Sequence, residues 1–136
     1  MFNKLGAPAK FYAKQPFLYT IDDHDLGSNN ADSRSPSSPE AKEAIRTSIK
    51  ELKSQYYSFQ INEPGLNIKF IVMDARFQKN LSQNYGPEQV AWLTSELQQA
   101  DQDPSLNAVF IVHSWPWKSR REWMSTTDPA ETARLK

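Results

Sequence analysis

The sequence contains no cysteine, and its charges of opposite sign cancel to a formal net charge of zero at pH 7. Without cysteine the chain can form no disulfide, no thiolate nucleophile and no Cys-ligated zinc site. Without net charge it has no bulk electrostatic attraction to nucleic acids, so nucleic acid is not indicated as a partner. The cellular compartment stays open, because a missing disulfide does not prove a reducing environment.

Long hydrophobic runs are also missing. No stretch approaches the ~18 apolar residues that a membrane-spanning helix needs, so we expect no membrane span. Lys4, Lys10 and Lys14 are not followed by an apolar run, so we expect no signal peptide in this chain. With 136 residues, 38% of them hydrophobic, the chain allows one domain with a thin core.

The periodicity of apolar residues predicts alternating strands and helices. Residues 17–21 form a short β-favouring run, and the helix that follows begins with the capping-box spacing of Ser37 and Glu40. The later predicted elements are a hairpin at residues 56–73, a helix from Gly86 and a strand at residues 108–112. The sequence therefore predicts an α/β domain, with the continuous apolar run 108–112 as a central strand.

Polar side chains follow three of the predicted strands at the point where each strand ends. The run Asp-Asp-His-Asp at residues 22–25 follows the first strand, Asp74 follows the hairpin and His113 follows the last strand. In open α/β sheets, functional sites are built at the carboxyl ends of the strands. Carboxylates and imidazoles are ligands for divalent or trivalent metal ions, so these strand ends are candidates for one metal site.

The acidic run has two interpretations. As a site, it provides Asp23 as a metal ligand, His24 as an acid that protonates a leaving oxygen, and Asp25 as the carboxylate that orients His24. As ordinary structure, it is an exposed turn or a helix cap. At the later strand ends, the ordinary alternatives are a hydrogen-bonded His113 and an ion pair or loop clamp at residues 74–76.

Four segments carry recognisable motifs in a fixed order. Residues 19–30 contain Asp-Asp-His-Asp followed by an Asn-Asn pair, and residues 70–76 contain a hydrophobic strand followed by Asp-Ala-Arg. Residues 86–93 begin a helix with the pattern G-x-x-Q-x-x-W-L, and residues 109–117 form a strand followed by a Pro-Trp loop. Together these segments resemble the alkaline phosphatase D (PhoD-like) branch of the metallophosphoesterases, which carries the signature DDH[ED]…NN.

The resemblance implies part of a metallophosphoesterase-like β-sandwich flanked by helices. It implies hydrolysis of a phosphate ester at a site of two divalent or trivalent metal ions, for which iron and calcium are candidates. By this resemblance, Asp23 takes a metal-ligand position, and His24 takes the catalytic position together with Asp25. His113 takes the position of a further metal-binding histidine. The residues with a supporting or structural role are Asp22, Asn30, Asp74 and Arg76.

The resemblance also implies that residues 1–136 are a fragment covering the middle of a catalytic domain. The family's D-x-H and G-D blocks should precede Asp22 by many tens of residues. Its G-H-x-H block should follow His113, where this chain has no histidine. We therefore expect little activity from the chain alone.

A partial domain leaves apolar sheet faces uncovered. We therefore expect exposed apolar surface around Phe17, Tyr19, Phe110 and Ile111.

Two alternative functions remain open. One is a non-catalytic α/β remnant or interaction module, and the other is a mononuclear metal-binding domain formed by Asp23, His24 and His113. The family is often exported, but nothing in these residues assigns a compartment.

Overall fold

The computed structural model describes residues 18–48, 55–80 and 83–114. Its helices and strands, in chain order, are α1 (Asp23–Leu26), α2 (Ser38–Ser48), β1 (Tyr57–Glu63), β2 (Leu66–Val72), α3 (Pro87–Asp101) and β3 (Ala108–Val112). The predicted α/β class is confirmed at this level, because helices accompany a three-stranded mixed sheet. Within the three described ranges, no helix is long and apolar enough to cross a membrane.

The sheet has the strand order β1-β2-β3. β1 and β2 form the predicted antiparallel hairpin, which closes where Glu63 lies opposite Leu66. Gly65 in the turn has φ of 79°, a left-handed conformation that glycine adopts without steric cost. β3 pairs with β2 in parallel. Predicted as a central strand, β3 instead lies at an edge of the sheet formed by the described residues.

Helix α3 packs on one face of the sheet and begins as predicted, with Pro87 in its first turn. The ion pair between Lys69 of β2 and Glu96 of α3, at 2.8 Å, joins the two elements. A buried cluster that includes residues of both elements consists of Ile71, Met73, Ala75, Tyr85, Val90 and Leu93. The sheet end that carries Asp74 is thereby fixed against α3.

The described residues 18–21 do not form the predicted strand, and residue 17 lies outside the described ranges. Backbone carbonyls that a strand ladder would use accept side-chain hydroxyls instead. The hydroxyl of Thr20 donates to the carbonyl of Met73 at 3.2 Å. The hydroxyl of Tyr57 donates to the carbonyl of Tyr19 at 3.2 Å. These contacts hold the segment beside the carboxyl end of β2.

Helix α2 begins close to the predicted position, but the capping box does not form there. The hydroxyl of Ser37 donates to the carbonyl of Leu26 at 2.7 Å, so it links the end of α1 to the start of α2. Ala41 and Ile45 pack as predicted towards the protein interior. The second buried cluster, which they join, consists of Ile21, Leu26, Ala31 and Phe77.

The sheet face opposite α3 carries a row of aromatic rings. The rings of Phe59 and Phe70 are stacked at 5.0 Å, and those of Phe70 and Phe110 at 5.3 Å. Phe110 is 50% exposed and Ile111 is also exposed, which confirms the expected apolar surface at these two residues. Tyr19 is half-buried, so the same expectation is met only in part there.

Candidate functional site

Asp22 and Asp25 cap the single turn of α1. Asp22 is the N-cap residue, and its carboxylate accepts the N–H of Asp23 at 2.9 Å. The carboxylate of Asp25 accepts the N–H of Asp22 at 2.9 Å, which completes a capping box. The helix-cap interpretation of the acidic run is therefore confirmed for these two residues, and it leaves the carboxylate of Asp23 for other contacts.

The carboxylate of Asp23 is held by backbone N–H groups on both oxygens. Oδ1 accepts from His24 at 2.9 Å, and Oδ2 accepts from Asn30 at 2.7 Å. Asp23 is only 8% exposed. Burial raises the pKa of Asp23, but the N–H of Asn30 and the charge of Arg76 outweigh burial and lower this pKa overall. At neutral pH, Asp23 is therefore an ionised carboxylate in a fixed position.

His24 is exposed and follows Asp23 directly on α1. The carboxylate of Asp25 makes its side-chain contacts elsewhere, because Oδ1 accepts the hydroxyl of Tyr19 at 2.7 Å and Oδ2 accepts the N–H of Asp22. Burial and this bond to Asp25 raise the pKa of Tyr19, so its phenol stays protonated at neutral pH. The role of Asp25 as the partner that orients His24 stays a prediction.

Arg76 joins the loop after β2 to the acidic run. It is 4% exposed, and its Nε and Nη2 lie 2.8 Å and 2.7 Å from Oδ1 of Asp22. Nη2 also lies 3.7 Å from Oδ2 of Asp23. Asp74 shapes this loop, since its Oδ1 accepts the N–H groups of Arg76 and Phe77 at 2.8 Å and 2.9 Å. The loop-clamp interpretation of Asp74 is confirmed, and the ion pair that Arg76 forms is with Asp22.

His113 follows β3 and is half-buried. The N–H of Met73 donates to the carbonyl of Val112 at 2.9 Å, which continues the parallel pairing up to His113. Burial lowers the pKa of His113, so its imidazole is mainly neutral at pH 7. Among the residues described, no three His, Asp or Glu side chains form a group that could hold a metal ion. The pairing of Asp23 with His113 stays a prediction.

Two residues outside the predicted site prove important to its geometry. Gln89 lies fully buried on α3, and its side-chain amide pairs with the backbone of Asp74 in both directions. The hydroxyl of Tyr19 donates to the carboxylate of Asp25. The only sequence signal for Gln89 is its place in the G-x-x-Q-x-x-W-L pattern, and no periodicity would have indicated either contact. The Pro-Trp loop of residues 115–117 lies outside the described residues.

No protein-family model matches this chain, and neither does any curated protein or solved structure. The relation to the PhoD-like phosphoesterases therefore stays a prediction that depends on the motifs of the sequence. In the structure, the guanidinium of Arg76 pairs with Asp22 and lies close to Asp23, and His24, the next residue along the chain, is exposed at the surface.

Proposed function

We propose that this chain contributes part of the active site of a metal-dependent phosphoester hydrolase with a metallophosphoesterase-like β-sandwich. The observation that carries the proposal is the fixed, ionised carboxylate of Asp23 beside the exposed imidazole of His24. A simple helix cap requires Asp22 and Asp25, but it does not require a buried Asp23 anchored to Asn30 seven residues later. The same stretch carries the first and strongest motif of the resemblance.

The donor chemistry fits metal ions in part. Asp23 offers an anionic oxygen, and neutral His113 offers a nitrogen lone pair. These two donors do not suffice for a complete site, because the described residues contain no group of three. When bound, a metal ion would polarise the phosphate ester and lower the pKa of a bound water. The remaining ligands would come from outside the described residues.

His24 is proposed as the general acid. Its imidazole is open to solvent, where a phosphate ester can approach, and its backbone N–H fixes Oδ1 of Asp23. An imidazolium in this position can donate its proton to the oxygen of the leaving alcohol. Arg76, in contrast, is buried against Asp22, so it supports the carboxylates and is not proposed to bind substrate.

The test is a pair of substitutions in the hydrolase that contains this segment. We expect His24→Ala to lower turnover by about 10²–10⁴-fold, the usual size of a general-acid effect, with metal content retained. Asp23→Ala should lower both metal content and turnover. Equal turnover of His24→Ala and wild type would remove His24 from the mechanism. The 136-residue chain alone should hydrolyse an activated phosphate ester no faster than buffer with the same metals.

A second candidate function, a non-catalytic interaction module, is favoured by the aromatic row of Phe59, Phe70 and Phe110. An apolar sheet face of this kind is typical of a surface that another layer of protein covers. The two functions make different predictions for Asp23→Ala. An interaction module would retain partner binding after this change, whereas a hydrolase would lose its activity.

A further inference from the structure

Gln89 connects helix α3 to the end of strand β2. Its Oε1 accepts the N–H of Asp74 at 2.8 Å, and its Nε2 donates to the carbonyl of Asp74 at 2.9 Å. The side chain is fully buried. A buried amide is costly unless it is hydrogen-bonded, and an apolar side chain of similar shape could fill the same space. The amide of Gln89 therefore serves to hold the backbone of Asp74 in one place.

Asp74, held in this way, orients the loop that follows it. With its backbone held by Gln89, its carboxylate accepts the N–H groups of Arg76 and Phe77, which fixes the direction of the turn. The turn determines where the guanidinium of Arg76 lies. That guanidinium contacts Asp22 at 2.7 Å and lies 3.7 Å from Asp23.

We infer that Gln89 is a positioning residue for the acidic run, acting on Asp22 and Asp23 through Asp74 and Arg76. The inference rests on the proposed function only where it treats Asp23 as a ligand carboxylate. Every link in the series is a direct contact between buried or half-buried groups, so a change at Gln89 should displace Arg76 before it disturbs more distant parts of the fold.

Gln99 provides a matched control on the same helix. It is exposed, and its amide donates to the hydroxyl of Ser95 at 3.0 Å, one turn away on α3. Arg34 provides an internal reference, because its Nε donates to the carboxylate of Asp32 at 3.0 Å and 3.1 Å. Asp32 and Arg34 are not members of the series that joins Gln89 to Arg76 through Asp74, so their ion pair should not respond to a loss of the amide.

The experiment measures exchange of the guanidinium Nε–H protons with water by NMR in the full chain. Gln89→Leu removes both bonds to Asp74, whereas Gln89→Glu keeps the acceptor and removes the donor. We expect Nε–H exchange at Arg76 to accelerate by about tenfold or more in Gln89→Leu and by a smaller factor in Gln89→Glu, as in local opening. Exchange at Arg34 should be unchanged in both, and Gln99→Glu should change neither signal.

Unchanged exchange at Arg76 in a folded Gln89 variant would overturn the inference. Equal acceleration at Arg76 and Arg34 would also overturn it, because that result indicates general loosening of the fold. If Gln89→Leu does not fold, Gln89→Glu decides the question alone. The measurement needs neither metal nor substrate, so its failure is distinguishable from failure of the proposed hydrolase activity.

Discussion

The guanidinium of Arg76 donates to a single carboxylate oxygen of Asp22 through both Nε and Nη2, at 2.8 Å and 2.7 Å. This contact connects the loop after β2 to the N-cap of α1, which lies 54 residues earlier in the chain. The arginine side chain is almost fully buried, whereas that of Asp22 is partly exposed. The acidic run is therefore stabilised from outside its own helix turn.

The first prediction concerns this ion pair. Gln at position 76 cannot supply the charge or both donors, so Arg76→Gln should lower the free energy of unfolding by about 1.5–3 kcal/mol. Arg34→Gln is the matched control, because Arg34 pairs with Asp32 but is half exposed, and it should lower the free energy of unfolding much less. Urea denaturation measures both. Equal losses for the two variants would contradict the structural role given to Arg76.

The second prediction concerns the buried carboxyl of Asp74. Its Oδ2 has no hydrogen-bond partner in the part of the chain that the structure describes, and burial raises its pKa. The folded state thus holds this proton more tightly than the unfolded chain, where the pKa is about 3.9. The resulting stability is complete below about pH 3.9 and is lost as the pH rises through the raised, folded-state pKa.

Asp74→Asn removes this titration and keeps an oxygen that can accept from Arg76. The variant should gain stability relative to wild type as the pH rises from about 4 to 7, because wild type loses the stability that its bound proton provides. Denaturation at several pH values checks the trend, with the exposed Asp101→Asn as control. Stability curves of Asp74→Asn and wild type that stay parallel over this range would show that Asp74 does not titrate as described.

The third prediction concerns the aromatic row. Phe110 lies at one end of this row and is half exposed. We therefore expect the chain to self-associate at high concentration through the sheet face that carries the row. Phe110→Lys should weaken association and cost about 0.5–1.5 kcal/mol of stability from the lost ring stacking. Val109→Lys, on the opposite face of β3, is the control. Sedimentation that finds wild type and both variants equally monomeric would contradict this expectation.

The elements predicted correctly are those with local signals. The hairpin follows from alternating residues around Pro64-Gly65, and α3 follows from Pro87 ahead of an amphipathic pattern. The predicted strand at residues 17–21 failed in its described part. There the hydroxyl of Thr20 donates to the carbonyl of Met73, and the carbonyl of Tyr19 accepts the hydroxyl of Tyr57, in place of a backbone ladder. Local propensity cannot distinguish these two environments.

The sequence motifs select the candidate site but do not determine its contacts. The run at residues 22–25 is where the motifs placed it, yet its geometry depends on Arg76, which contacts it across 54 residues. Gln89 acts on Asp74 across 15 residues, from a helix position that periodicity assigns only to a face. Such contacts arise from tertiary packing, so composition and spacing do not determine them.

The most direct test of the account is a titration of the ¹⁵N-labelled chain with Mn²⁺, followed by paramagnetic broadening of the amide signals. Ligands of one metal site lie within roughly 3–5 Å of each other. We therefore predict that the signals of Asp23 and His113 broaden together, that Asp23→Asn abolishes the effect, and that Asp101→Asn leaves it intact. Broadening that omits either residue, or that persists in Asp23→Asn, would contradict a shared metal site.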